Sequence, residues 1–300
     1  EQSIPGYLDT LGINADFLNA GVASFSAMLY YLYAKARLDE IKPRLVLVLL
    51  DANDPADDYM TLHGLHQGQF ERKPLFNSAG ELTAVQPLHG GDQLKGKAKD
   101  QAKEAADKYA RKLRAARPVR AFLRRNSALF RLFTGDFDSS PKLSPDRLGD
   151  PLIDRYGHYR PMNGQDWKPL YNVSLRYLVK LRDLLKPRGI KLAVVTYPYA
   201  VAISPDEWDV GRTRWLFEVG KVYNTDFFDY FDKELKAKGI PHLSLLDYLR
   251  TWKEKNPGER IYFRWDGHFN PAGNKLVAGR VYRWLIERGL VPPGDSNASP

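Results

Sequence analysis

Arg44-Leu45-Val46-Leu47-Val48-Leu49-Leu50 is followed by Asp51-Ala52-Asn53-Asp54-Pro55. An unbroken apolar run of this length, bounded by Pro43 and by polar turn residues, reads as a strand covered on both faces, as in a parallel sheet. Polar residues at its carboxyl end lie where open α/β sheets place their ligands. Ile190-Lys191-Leu192-Ala193-Val194-Val195-Thr196-Tyr197-Pro198 is a second run of this kind, and 241–246 a third. Helical periodicity fills the intervals. A helix runs from about Val22 to Ile41, one from Tyr171 to Lys186 ends at Pro187 and Gly189, and one from Phe227 to Lys238 ends at Gly239. Gly6 to Gly12 reads as a short helix and Asp16 to Gly21 as a short strand. Alternation of helix and buried strand predicts an α/β fold: a flavodoxin-like three-layer sandwich with a mainly parallel sheet.

Near the end of the chain stands Trp265-Asp266-Gly267-His268-Phe269-Asn270-Pro271-Ala272-Gly273-Asn274, leading into an amphipathic helix that ends near Gly289. A carboxylate two residues before a histidine can fix the imidazole tautomer and stabilise its cation, which is the base half of a nucleophilic triad. The plainer alternative makes Asp266 a helix cap and His268 a surface histidine. Asn19-Ala20-Gly21-Val22-Ala23-Ser24 and Asp51 to Asp54 follow the two earlier strands, so a parallel sheet can gather all three segments at one edge. The chemistry they would support is acyl transfer. The Ser24 backbone N–H and the Asn53 side-chain amide would form the oxyanion hole, with His268 moving the proton and Asp266 orienting it.

These segments resemble the blocks of the SGNH (GDSL-type) hydrolases. Asn19 to Ser26 is similar to the second block, with Ser24 where most members carry glycine. Asp51-Ala52-Asn53-Asp54 is similar to the third, with Asp51 in place of glycine. Asp266-Gly267-His268 with Asn270-Pro271-x-Gly273 is similar to the fourth. The resemblance covers roughly residues 1–54 and 170–290. It implies one SGNH-like domain over 1–300, with 57–166 as an insertion or cap. It also implies a serine esterase or acetylesterase without metal or organic cofactor, acting on an acylated carbohydrate or other small ester. A periplasmic or secreted location is the family expectation. Transfer of the acyl group to a sugar hydroxyl would use the same triad.

The nucleophile is not assigned. The family's Gly-Asp-Ser follows its first strand, and the resemblance places that strand and serine upstream of Glu1. In the strand order 2-1-3-4-5 it would lie between the strands read at 16–20 and 44–50. Gly294-Asp295-Ser296 follows Pro292-Pro293 in a polar tail and makes a poor substitute.

Composition sets outer limits. No cysteine is present, so disulfides, thiolate metal sites and a cysteine nucleophile are excluded. No apolar run approaches the ~20 residues of a membrane-spanning helix. The net charge is +9, and Lys95 to Arg131 alone carries thirteen basic residues against three acidic, a net of +10. A helix there, from about 95 to 117, could hold an anionic polymer; nothing points to a specific nucleic acid. A non-catalytic domain binding anionic polysaccharide is the rival reading, and charge reversal at Lys103, Lys108 and Arg111 would discriminate. His63-x-x-His66 has metal-ligand spacing without a third ligand in view. Tyr197, Tyr199, Trp208 and Trp215 could stack on a sugar or pack in the core.

Overall fold

The computed structural model describes residues 2–11, 15–22, 25–66, 72–76, 82–87, 148, 154–160 and 165–292. Ser24, His89, the basic stretch 95–131 and Ser296 lie outside them, as do the side chains of His63 and His66.

The apolar run forms β1 (Leu45–Asp51), the second run forms β4 (Lys191–Tyr197), and His242–Ser244 form the short β5. They make a parallel sheet in the order β1-β4-β5, with Leu45 opposite Lys191 and Asp51 opposite Tyr197. Every residue of β4 from Leu192 to Thr196 is buried. Side chains alternate along a strand, so burial of consecutive residues requires cover on both faces. β2 (Arg72–Phe76) and β3 (Leu82–Pro87) form a separate antiparallel pair. The fold is α/β, with a flavodoxin-like open parallel sheet.

The helices are α1 (Ile4–Asp9), α2 (Ala27–Ile41), α3 (Asp54–His66), α4 (Lys168–Leu185), α5 (Asp209–Arg214), α6 (Phe227–Ala237), α7 (Leu246–Lys255) and α8 (Pro271–Glu287). α4 carries the predicted apolar stripe, buries Leu170, Leu175, Leu178, Leu181 and Leu185, and packs against α2, α3 and β4. α1 packs against α8. α3 runs across residue 57, and Tyr156 and Tyr159 of the 154–160 segment are buried in the main core.

The strand expected at 16–20 is absent. That segment has no regular structure and pairs with no strand, Leu18 is exposed, and the Phe17 N–H donates to Asp9 Oδ1 at 2.8 Å. β propensity yields a strand only where a ladder partner accepts it. Among the described residues β1 pairs with β4 alone.

One buried carboxylate joins three helices. Asp58 on α3 accepts hydrogen bonds from the Ser26 hydroxyl ahead of α2, from the Met28 N–H (2.9 Å) and from the Ser174 hydroxyl of α4. Removing a buried acceptor leaves its donors desolvated and unpaired. Asp58→Ala should therefore cost on the order of 3 kcal/mol or more in a urea titration; a loss below about 1 kcal/mol would contradict this role.

Candidate active site

Residues 261–270 fold as a small hairpin. Tyr262 bridges Phe269 in antiparallel fashion, Phe263 N–H donates to the His268 carbonyl at 3.1 Å, and Asn270 N–H donates to the Ile261 carbonyl at 3.0 Å. Tyr262 and Phe269 form a buried ring pair with centroids 4.6 Å apart. Residues directly opposite in such a pair share a face, and successive pairs alternate. Phe263 and His268 therefore share the opposite, outward face.

Asp266 is satisfied inside this hairpin. One carboxylate oxygen accepts from the His268 backbone N–H (3.1 Å) and also meets the His268 ring at Nδ1. The helix cap is a different residue. Asn270 accepts from Gly273 N–H at 2.9 Å, and its amide donates to the Arg260 carbonyl at 2.8 Å, tying the start of α8 to the base of the hairpin. With Nδ1–H given to Asp266, the lone pair is on Nε2. The imidazole is 65% exposed. Its pKa is raised above the ordinary 6.5, first by the hydrogen bond to Asp266 and then by the charges of Asp266 and Asp51, against partial burial and Arg155. Partial burial works to raise the Asp266 pKa, but the bond and charge of His268 outweigh it and hold the group below 3.8.

The glycines of the motif have steric reasons. A Cβ on Gly267 would sit 2.3 Å from the Tyr199 ring, and one on Gly273 would sit 2.1 Å from the Ile261 carbonyl oxygen. Tyr199 follows the end of β4, whose Tyr197 is in register with Asp51. The hairpin tip thus rests over the carboxyl edge of the sheet, where the turn after β1 carries Asn53.

That turn is crowded with acids. Asp54, at the start of α3, accepts from the Asp51 N–H at 3.1 Å. Asn53 is buried; its amide nitrogen donates to Asp57 at 3.0 Å and its carbonyl oxygen has no partner. Asp57 pairs with Arg155 at 3.0 Å. One of the two Asn53 amide hydrogens is thereby engaged. Burial raises the pKa of Asp51 to about 7, against the opposing influence of His268 and a hydrogen bond with Tyr197.

The structure brings Asp266 and His268 into contact and places Asn53 on the same sheet edge. Of the aromatics considered for sugar stacking, Tyr199 and Trp208 are buried. They tile with Tyr156 and Trp215, which lie 4.6 Å (Tyr156–Tyr199) and 4.7 Å (Tyr156–Trp215) apart between ring centroids. His158 is buried with its pKa pushed down to about 3 by burial, and His242 is held between Thr196 and Asp232. The brace around the hairpin was not visible in the sequence. Glu207 is fully buried and accepts from Ile261 N–H (3.0 Å), Tyr262 N–H (3.3 Å) and the Lys253 ammonium (3.1 Å). Asp209 pairs with Arg260 and Arg264. Its only sequence signal is an acidic cluster before α5 and a basic one before the motif. No group of three or more metal-ligating side chains is present among the described residues.

An open parallel sheet with an Asp-x-His hairpin ahead of its last helix is an arrangement of the SGNH-like class of α/β proteins. A family model described as SGNH hydrolase-like domain, acetyltransferase AlgX, matches residues 163–295, and this part of the chain is similar to that SGNH-type family. The match spans less than half of the 300 residues; it includes the hairpin and leaves out β1 and Asn53. No curated protein and no solved structure matches the chain.

Gly267→Ala should displace the hairpin from Tyr199, and His268 should lose the downfield Nδ1 proton signal that reports its bond to Asp266; retention of that signal would refute the steric account. A second expectation concerns pH. Asp51 binds its proton more tightly when folded, so its contribution to stability is full below about 3.8 and is lost as pH rises through about 7. Asp51→Asn should flatten the decline in thermal midpoint between about pH 4 and pH 7; an unchanged slope would count against a buried, proton-holding Asp51.

Proposed function

We propose that the protein is a serine-type, acyl-modifying SGNH enzyme that acts on O-acylated saccharide, with ester hydrolysis as the primary reaction. The observation that carries this reading is the Asp266–His268 contact, which occupies Nδ1 and leaves the Nε2 lone pair free on a largely exposed imidazole, in a hairpin that rests over the carboxyl edge of the sheet. Nε2 takes the proton of the attacking hydroxyl as its oxygen adds to the acyl carbonyl carbon. The imidazolium then returns that proton to the departing sugar oxygen. Asp266 holds the ring and stabilises its charge in between. The Asn53 amide hydrogen not given to Asp57 and the Ser24 backbone N–H would face the oxyanion, each worth roughly 2–4 kcal/mol in the transition state. In the second half-reaction Nε2 takes a proton from the water that adds to the acyl-enzyme carbonyl and returns it to the departing nucleophile oxygen, releasing the free acid and the enzyme hydroxyl.

Transfer of the acyl group to a sugar hydroxyl is the second reading, favoured by the acetyltransferase description of the matched family model. The two share every residue above and differ in the acceptor. Product analysis separates them: free acetate for hydrolysis, acetylated acceptor for transfer when saccharide is supplied.

His268→Ala should lower kcat/KM on an acetyl ester by about a thousandfold or more. Because catalysis needs the neutral imidazole and its pKa is raised, activity should fall on acidification through a pKa above 6.5. Asp266→Asn should move this acid limb to lower pH as well as slow the reaction. Full activity in His268→Ala would remove the proposed base.

A further inference from the structure

The hairpin carries one group that the acyl chemistry does not use. Trp265, immediately before Asp266, is 56% exposed, and of the tryptophans it alone is fully on the surface. Its ring stacks on Phe263, with centroids 5.9 Å apart and planes at 27°. Phe263 stands opposite His268 across the hairpin, on the outward face. The indole is therefore held on the imidazole's side of the hairpin.

The platform is also stiff. Arg264, between Phe263 and Trp265, is gripped by Asp209 at 2.8 Å, and its carbonyl accepts from the Val210 and Gly211 N–H groups, both at 3.0 Å. On the other side of Trp265, Asp266 is locked to His268 and Gly267 is pressed on Tyr199. An exposed apolar ring held rigidly loses little freedom when a ligand covers it. Its flat face suits the apolar C–H face of a pyranose, while the sugar hydroxyls remain in water.

We propose that the Trp265–Phe263 stack is the saccharide subsite of this enzyme: a platform that takes the sugar ring bearing the ester and presents its acyl group to His268. This deepens the function proposed above and rests on it. An ester handled by His268 sits on a ring only a bond or two away, so the ring must lie within one sugar's width of the imidazole. Trp265, three residues before His268 and stacked on the residue opposite it, is the exposed ring of the same hairpin face. Specificity for a cyclic ester then comes from the loop that carries the base, and a ring-free ester bypasses it.

The test compares two acetyl esters, glucose pentaacetate, which has a pyranose ring, and vinyl acetate, which has none. Trp265→Ala should lower kcat/KM for glucose pentaacetate about tenfold, mainly through KM, and leave vinyl acetate within about twofold. Trp265→Phe should restore most of the loss. Equal effects on both esters, or on neither, would overturn the subsite. A changed oligomeric state or vesicle binding in Trp265→Ala, with sugar-ester kinetics unchanged, would make this face a docking surface and overturn it equally. Calorimetric binding of glucose pentaacetate to His268→Ala, with and without Trp265→Ala, decides the matter independently of turnover. If wild-type protein cleaves neither ester yet binding still depends on Trp265, the catalytic reading fails and the subsite stands. Binding indifferent to Trp265 removes the subsite.

Discussion

Glu207 is the interaction on which the site's architecture depends. A fully buried carboxylate is stable only if its charge and lone pairs are met, and here they are met by one ammonium and two consecutive backbone N–H groups. Those partners come from α7 and from the first strand of the hairpin. One side chain thereby fixes where the hairpin leaves the core. Breaking such a pair leaves an uncompensated buried charge, which costs about 3–5 kcal/mol. Asp209 repeats the connection nearer the surface, with exposed arginines, where solvent and salt weaken it.

Above that anchor the order is set by contact distances. The Tyr262–Phe269 pair turns one face of the hairpin inward, so His268 must face out. Tyr199 leaves room for a hydrogen at position 267 and nothing larger. Asn270 closes the hairpin and starts α8 with the same side chain. The motif Asp-Gly-His-x-Asn-Pro-x-Gly is thus a list of local requirements. The dyad needs residues two apart, the ring contact needs the first glycine, the cap needs asparagine, and the close approach to Ile261 needs the second glycine.

The sequence disclosed what is local and periodic. Unbroken apolar runs marked β1 and β4, apolar residues at helical spacing marked α4 and α6, and the motif marked the start of α8. It did not disclose what depends on distant partners. The segment 16–20 has strand-like residues but no ladder. α7 was hidden because Lys253 looks like a solvent residue until Glu207 is seen opposite it. For the aromatics after β4 the sequence leaves sugar stacking and core packing open, and the structure puts Tyr199 and Trp208 in the core. Trp265 lies in the motif itself, but its exposure is not written in its neighbours along the chain.

The hydrogen bond between Asp266 and His268 joins residues two apart, whereas the alignment of that pair with Asn53 depends on β1, β4 and the Glu207 brace together. Proton handling and charge stabilisation therefore belong to different scales of the molecule. Partial loosening away from the hairpin would leave the Asp266–His268 bond in place, over an edge the imidazole no longer faces, and only the smaller influence of Asp51 and Arg155 on its titration would be lost. Such a protein would look intact to a probe of that one bond and be silent to its substrate.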